Sequence, residues 1–437
     1  MSDLSRREFL GQTAGTVAAA AVTSGIAAGA SSDDKLTVAL IGCGGMGGNH
    51  LKLLAERKDA HIAYLCDADA DRLAAAVKTV EAAGKPAPKP VKDMRTIYDD
   101  KSVDAVWLPM PDHWHAPATI LACAAGKHVY VEKPCSHNIR EGRLMLEAAR
   151  KHNRVVQVGT QSRSTPHVQR AMQLLRDGAI GDVLVAKAWN SQLRGNIGHK
   201  QPTPPPAQLD YDLWTGPAPM RPYQSNLLPG VWRFWYDFGV GDIGNDGVHD
   251  IDIARWGLGV DTHPSTIAAL GSKFFFDDDQ QFADTMYCVF EYPGNGQVGQ
   301  KRQLIYEQRD WSPYVQEGYE NGNAFYGTKG MLILGKGSGF HLYAARNKLV
   351  EKMDGSANLP AHHQNFIDCI RSGKRPNADI AEGHLSASLA HLGNIACRVG
   401  RTLRLDPVTE RIADDPQADV LLKRSYRADH WAVPAGV

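Results

Sequence analysis

The chain has 437 residues, with 48 Lys and Arg against 48 Asp and Glu, so its formal net charge is zero. No long run of like charge breaks that balance, which argues against a nucleic-acid surface or a membrane-binding face. Seven cysteines, an odd number with no Cys-x-x-Cys pair, do not make a disulfide framework.

The first segment carries a twin-arginine pattern, Ser5-Arg6-Arg7-Glu8-Phe9-Leu10, followed by an Ala-rich stretch and a small-residue cleavage site at Ala28-Gly29-Ala30. Residues 1–30 are expected to be an export signal, which places the mature protein in the periplasm or otherwise outside the cytoplasm. The stretch is too poor in large apolar side chains for a stable membrane span. Export fits the odd cysteine count if folding in the reducing cytosol comes first, as the twin-arginine route permits. The roughly 400 residues that follow suit two domains better than one.

Residues 35–158 read as a dinucleotide-binding domain. Leu36 to Ile41 is a short apolar run, as for a buried parallel strand, and the loop Gly42-Cys43-Gly44-Gly45-Met46-Gly47 follows it directly. A helix is expected from Asn49 to Arg57 and a second strand from Ala60 to Cys66, which ends at Asp67. Strand, glycine loop, helix and a carboxylate twenty residues past Gly47 form the dinucleotide fingerprint. Asp67 would accept hydrogen bonds from the ribose hydroxyls and repel a 2′-phosphate, which points to NAD rather than NADP. Arg72 is the residue that could accommodate that phosphate.

Farther along, strands are expected at Val103 to Leu108, His128 to Glu132 and Val155 to Val158. Helices are expected at Pro117 to Ala125 and Ile139 to Lys151. The pattern is a doubly wound parallel sheet. Lys133 ends the strand of the Glu132-Lys133-Pro134 segment, on the side where such sheets bind ligands. Asp112-His113-Trp114-His115 follows Pro111 at another strand end. Its two histidines invite a metal reading, but no further ligand has suitable spacing, so no metal is expected.

Residues 159–437 change character. After a helix from Val168 to Arg176, strands dominate: Val183 to Trp189, Thr285 to Tyr292, Gln303 to Tyr306, and a pair over Ala324 to Leu334. Helices return at His362 to Ser372 and Ala381 to Val399. This suggests an α+β domain with an open, largely antiparallel sheet, and an active site in the cleft between the domains. Pro202-Thr203-Pro204-Pro205-Pro206 reads as a stiff exposed loop. The densest polar cluster runs from Gly241 to Asp252, read as a glycine-rich loop entering a helix. Asn245, Asp246 and His249 lie near its first turn, with Asp252 on the face of His249. His249 is either an acid/base or a satisfied structural histidine. Trp235 and Tyr236 sit in an aromatic run that either stacks on a sugar or packs a core.

These residues resemble the Gfo/Idh/MocA oxidoreductases from Val38 to about Asp406. The likeness includes the glycine loop, Pro111 to His115, Glu132-Lys133-Pro134, Gly247-Val248-His249 with Asp252, and Gly393-Asn394-Ile395-Ala396. It implies Lys133 as the catalytic lysine, His249 as the substrate-side acid/base, and Glu132, Pro111 and His115 on the nicotinamide side. Trp235, Tyr236 and Asp252 become candidate substrate contacts, and a homodimer or homotetramer is implied. One departure matters: many members carry Asp four residues before the histidine, where this chain has Asn245, and the carboxylate stands at Asp246.

The expected activity is NAD-dependent oxidation of a CH–OH group in a sugar, polyol or glycoside. A lysine can act as base in one direction and acid in the other. Because free NAD is scarce outside the cytoplasm, the cofactor is expected to be tightly held. Two alternatives stay open: redox-neutral glycoside hydrolysis, elimination or epimerisation through a transient keto-sugar, and non-catalytic sugar binding on the same fold.

Overall fold

The computed structural model describes residues 35–294 and 297–437. The expected export signal, residues 1–30, lies outside the described residues. Six strands make the first sheet: β1 (Leu36–Ile41), β2 (Ala60–Cys66), β3 (Lys89–Val91), β4 (Ala105–Leu108), β5 (His128–Val131) and β6 (Val156–Val158). All are parallel, in the order β3-β2-β1-β4-β5-β6. That order reverses between β1 and β4, so a crevice opens beyond Ile41 and Leu108. Alternate residues point to opposite faces, as the pleat requires. Val38 and Leu40 join one buried cluster with Trp107 and Tyr130, and Ala39 and Ile41 join another with Val106 and Val131.

Helices α1 (Gly45–Glu56), α2 (Ala70–Ala82), α3 (Arg95–Asp99), α4 (Asp112–Ala124) and α5 (Ile139–Lys151) connect these strands. Helix α1 starts four residues before the expected Asn49, because the loop glycines themselves form its first turn. Helix α4 starts at Asp112 rather than Pro117, and Pro117 lies inside it. A proline there has no N–H for the carbonyl of His113. Arg424 Nη2 donates to that oxygen instead, at 2.7 Å.

After α6 (Pro166–Arg176) the second sheet begins. Its strands are β7 (Val183–Asn190), β8 (Thr266–Ser272), β9 (Thr285–Tyr292), β10 (Arg302–Arg309), β11 (Asn321–Gly327), β12 (Gly330–Gly335), β13 (Gly339–Ala344), β14 (Lys348–Asp354) and β15 (Leu403–Arg404). They run in the order β14-β13-β12-β11-β7-β10-β9-β8-β15, and β7–β10 is the one parallel pair in this sheet among the described residues. Helices α7 (Tyr211–Thr215), α8 (Val248–Leu258), α9 (Leu359–Ser372) and α10 (Ile380–Val399) belong to this half. Helices α6, α8 and α10 pack on the sheet. Leu270, Tyr287 and Tyr326 remain exposed on strands β8, β9 and β11. Among the described residues no helix is long and apolar enough to cross a membrane, and all seven cysteines are unpaired.

One connection shapes the cleft. The Pro-rich segment after Lys200 leads into a strap that runs back over the first sheet. Ala70 N donates to Gln208 O at 3.0 Å, and Asp210 N donates to Ala68 O at 2.9 Å, so Leu209 pairs with Asp69 like a short strand.

Candidate active site

The strand ends, the strap and the turn before α8 enclose a cleft of about 1030 Å³. At one pole lies the glycine loop. Gly42 has φ +105°, and a Cβ there would stand 2.8 Å from Pro109 O. A Cβ on Gly47 would come within 2.0 Å of Gly42 O, so only glycine lets α1 start this close to β1. The cap residue Gly44 offers no side chain to the first-turn amides of α1. Those amides, with Gly45 and Met46 on the cleft wall, form an anion site of the kind that holds a pyrophosphate. Asp67 stands beside it. Its carboxylate accepts from Cys43 N at 2.6 Å and Asp69 N at 2.8 Å, and burial pushes its carboxyl upward. Each oxygen keeps a lone pair for a ribose hydroxyl. Arg72 covers Gly44, whose added Cβ would lie 3.1 Å from Arg72 Nη1. The residues present therefore fit a dinucleotide.

At the other pole Lys133 lines the cleft, and among the described residues its ammonium has no hydrogen-bond partner. Glu132 is nearly buried and accepts from His50 Nε2 at 3.0 Å and Lys133 N at 3.1 Å. His50 Nδ1 lies 2.7 Å from His363 Nε2, so the carboxylate heads a buried chain of two imidazoles. These contacts and the Lys133 charge hold the Glu132 carboxyl down to about 2 against the opposing effect of burial. Nothing in the sequence had singled out His50. Pro111 lines the cleft and caps α4. His115 does not reach the cleft. It is fully buried, with Nδ1 2.6 Å from Pro134 O and Nε2 2.9 Å from Met110 O, and so ties the two strand-end loops together.

The turn before α8 differs from the expected loop. Residues Ile243–Gly247 form a π-helical turn that runs straight into α8. The wider turn is permitted by its glycines: a Cβ on Gly244 would be 2.5 Å from Val240 Cβ, and one on Gly247 2.2 Å from the Tyr306 hydroxyl. Asn245 consequently lines the cleft, its amide donating to Asp242 Oδ1 at 3.0 Å. Asp246 turns away to Lys336 Nζ at 3.0 Å and Arg194 Nη2 at 3.4 Å. It makes no hydrogen bond to His249. His249 is 7% exposed and its Nδ1 has no partner. Burial, aided by the charges of Lys133 and Lys336, lowers its imidazole to about 3, so the ring is neutral.

Three candidate substrate contacts lie elsewhere. Asp252 is fully buried, paired with Arg163 Nε at 2.8 Å and accepting from Ser386 at 2.7 Å, so it anchors α8 to the interior. Trp235 is buried, its indole donating to Asn226 O at 3.2 Å beneath Arg221. Tyr236 donates to Gln281 O at 2.6 Å and faces a separate cavity of about 370 Å³. The aromatic run thus packs, and the ring it gives the cleft is Trp232. Asp112 and Arg233 also line the cleft and were missed as site residues. Burial pushes the Asp112 carboxyl up to about 7 against the pull of Lys133 and Arg233.

Comparison with known proteins agrees with this geometry. The model for the oxidoreductase family NAD-binding Rossmann fold matches residues 36–160, and that for the oxidoreductase family C-terminal alpha/beta domain matches residues 182–433. The chain belongs to the Gfo/Idh/MocA oxidoreductase family. It is an NAD-dependent oxidoreductase. The chain is 27% identical over 369 residues to inositol 2-dehydrogenase 2 of Saccharopolyspora erythraea, covering 81% of this chain and 91% of that protein. It is 29% identical over 167 residues to a glycosyl hydrolase family 109 protein of the same organism, which spans 37% of this chain and 36% of the relative. The structure of levoglucosan dehydrogenase in complex with NADH and levoglucosan has a TM-score of 0.64 at 20% identity, covering 85% of this chain and 99% of that one, a likeness of fold.

Proposed function

We propose that the protein oxidises a CH–OH group of a sugar, polyol or glycoside outside the cytoplasm, with NAD retained between turnovers. The observation that carries this reading is the unpartnered Lys133 ammonium, in one cleft with the glycine loop and Asp67. Bound NAD supplies the hydride acceptor. Lys133 Nζ takes the hydroxyl proton as the neutral amine and returns it as the ammonium in the reverse direction. Neutral His249 and the Asn245 amide orient the hydroxyls, and the buried Glu132–His50–His363 chain fixes the lysine's strand end. The dehydrogenase relatives support a polyol or sugar substrate.

Retention is supported by the strap. Gln208 and Leu209 line the same cleft as Asp67 and Arg72, and their backbone is hydrogen-bonded to the chain after β2. A nucleotide beneath them would be covered on that side by a segment pinned through two backbone hydrogen bonds. Export through the twin-arginine pattern of residues 5–10 goes with this reading, since the folded protein carries its cofactor along. A second reading, redox-neutral glycoside cleavage through a transient keto-sugar, is favoured by the likeness to the glycosyl hydrolase family 109 protein and by the same retention. A second copy of the chain against exposed Leu270, Tyr287 and Tyr326 would make the expected homo-oligomer.

The test is to denature protein purified without added cofactor and quantify the released dinucleotide. About one NAD per chain is the expected result for a site of this enclosure. An empty protein that binds NAD weakly would overturn retention. Accumulation of oxidised product from simple sugars favours the dehydrogenase, and glycoside cleavage without it favours the second reading.

A further inference from the structure

We infer that the substrate carries a carboxylate and that Arg233 is the residue that recognises it. This deepens the reading of the cleft as a sugar-oxidising site and rests on it. Arg233 lies in the short 3₁₀ turn Val231–Phe234 and lines the cleft with Lys133, Asn245 and Asp112. Among the described residues its guanidinium makes no hydrogen bond and no ion pair, and its Nε is buried without a partner. Arginines buried elsewhere in the chain hold a carboxylate directly. Arg163 pairs with Asp252 at 2.8 Å, Arg424 with Glu141 at 2.7 Å, and Arg255 with Glu382.

The acids nearest Arg233 do not fill its fork. Asp242 is occupied by Arg194 at 3.0 Å and by the amides of Asn190 and Asn245. Asp246 is occupied by Lys336. Asp112 lies beyond ion-pair distance and is itself pushed toward neutrality by burial. A half-buried guanidinium that no carboxylate pairs is open to an anion, and its planar fork matches a carboxylate with two parallel hydrogen bonds. The charges that act most strongly on Arg233 are Asp112, Asp242, Asp246 and Arg194. All belong to the pole of Lys133 and the π turn, not to the Gly42–Gly47 pole, so the awaited anion is not the cofactor's pyrophosphate. The guanidinium lies 5.3 Å from the ring of Trp232, which also lines the cleft. A sugar whose apolar face lies on that indole can place an acid group in the fork and a hydroxyl toward Lys133. A uronic acid or its glycoside has this chemistry.

The experiment uses the NAD-loaded full chain and calorimetric binding of matched pairs: D-glucose and D-glucuronate, D-galactose and D-galacturonate, methyl β-D-glucoside and methyl β-D-glucuronide. Glucose 6-phosphate is a further arm. At least one acid should bind about tenfold or more tightly than its neutral partner, the scale of a charge-assisted hydrogen-bond pair. Arg233→Gln should abolish that preference while leaving neutral-sugar and NAD affinity unchanged. Arg233→Lys, which keeps the charge without the fork, should retain part of it. Three results would overturn the assignment: no acid preference in any pair, tighter binding of the phosphate than of every uronate, or loss of NAD affinity in Arg233→Gln equal to the loss of uronate affinity. Reduction of bound NAD is read separately. An acid preference with no NAD reduction by any sugar sinks the dehydrogenase reading and leaves the recognition by Arg233 standing.

Discussion

Lys336 offers a direct test of how the π turn beneath His249 is held. It lies between β12 and β13, with its ammonium 3.0 Å from Asp246 Oδ1 and 2.7 Å from Asp250 Oδ2. Asp250 is fully buried, and its other oxygen has no partner. One ammonium therefore serves two carboxylates. Asp246 carries the charge, held well below the usual carboxylate range by Lys336, while burial raises Asp250 to about 7. Lys336→Met keeps the side-chain volume, leaving Asp246 to Arg194 and Asn321 and leaving the Asp250 carboxyl without an ionic partner. Removing one partner of a buried pair costs roughly 3–5 kcal/mol. Proton uptake by Asp250 lightens that cost. A folded value raised above the unfolded one gives stability that is complete in acid and lost as pH rises through the folded value. Without Lys336 the Asp250 value climbs further, so the loss extends above neutrality at up to about 1.4 kcal/mol per pH unit. Urea unfolding followed by tryptophan fluorescence should show the full deficit near pH 8, and about half of it near pH 5.5. Lys336→Met combined with Asp250→Asn should recover most of the deficit at high pH. Equal deficits at both pH values, or a double variant no more stable than the single one, would refute the shared-ammonium account.

Lys133→Ala should abolish turnover and leave NAD bound at the same stoichiometry; normal turnover in that variant sinks its role as acid/base. Gly47→Ala drives a Cβ into Gly42 O and should lose NAD and about 1–3 kcal/mol of stability, as overpacking does. Gly48→Ala, whose Cβ meets no protein atom within 4 Å, should instead raise cofactor-free stability by about 0.5–1 kcal/mol. Denaturant curves of the pair decide whether close approach or mere glycine content matters. Asp112, raised to about 7, is a neutral acid below that pH and a carboxylate facing Lys133 and Arg233 above it. Asp112→Asn should remove a step near pH 7 from the kcat/KM profile, and an unchanged profile excludes Asp112 from the reacting cluster.

What was legible in the sequence was whatever local pattern fixes. The run Leu36 to Ile41, the six-residue glycine loop, Asp67 and the helix Ile139–Lys151 follow from periodicity, glycine conformational freedom and spacing, and the structure has them in place. The strands β3, β8, β13, β14 and β15 were not foreseen. Most of β14 is exposed, with Lys348, Glu351 and Lys352 breaking the alternation that marks a half-buried strand. The strap at 208–210 was not foreseen either, because its backbone partners Ala68 and Ala70 lie far back in the chain.

Asn245 and Asp246 show where local rules end within the site. On an α-helix adjacent residues diverge by about 100°, which left open which of the two meets the substrate. The answer depends on a π turn, which leaves no room for a side chain where Gly244 meets Val240 and Gly247 meets Tyr306. Tyr306 comes from β10, about sixty residues downstream, and no local spacing encodes it. The same tertiary contact explains why the displaced carboxylate does not rescue the usual Asp–His arrangement. The π turn swings Asp246 onto Lys336, and His249 is left neutral with a bare Nδ1. On the proposed reading the proton moves through Lys133, and His249 orients the substrate. His249→Asn should accordingly raise KM more than it lowers kcat, whereas a loss confined to kcat would return the proton to the histidine.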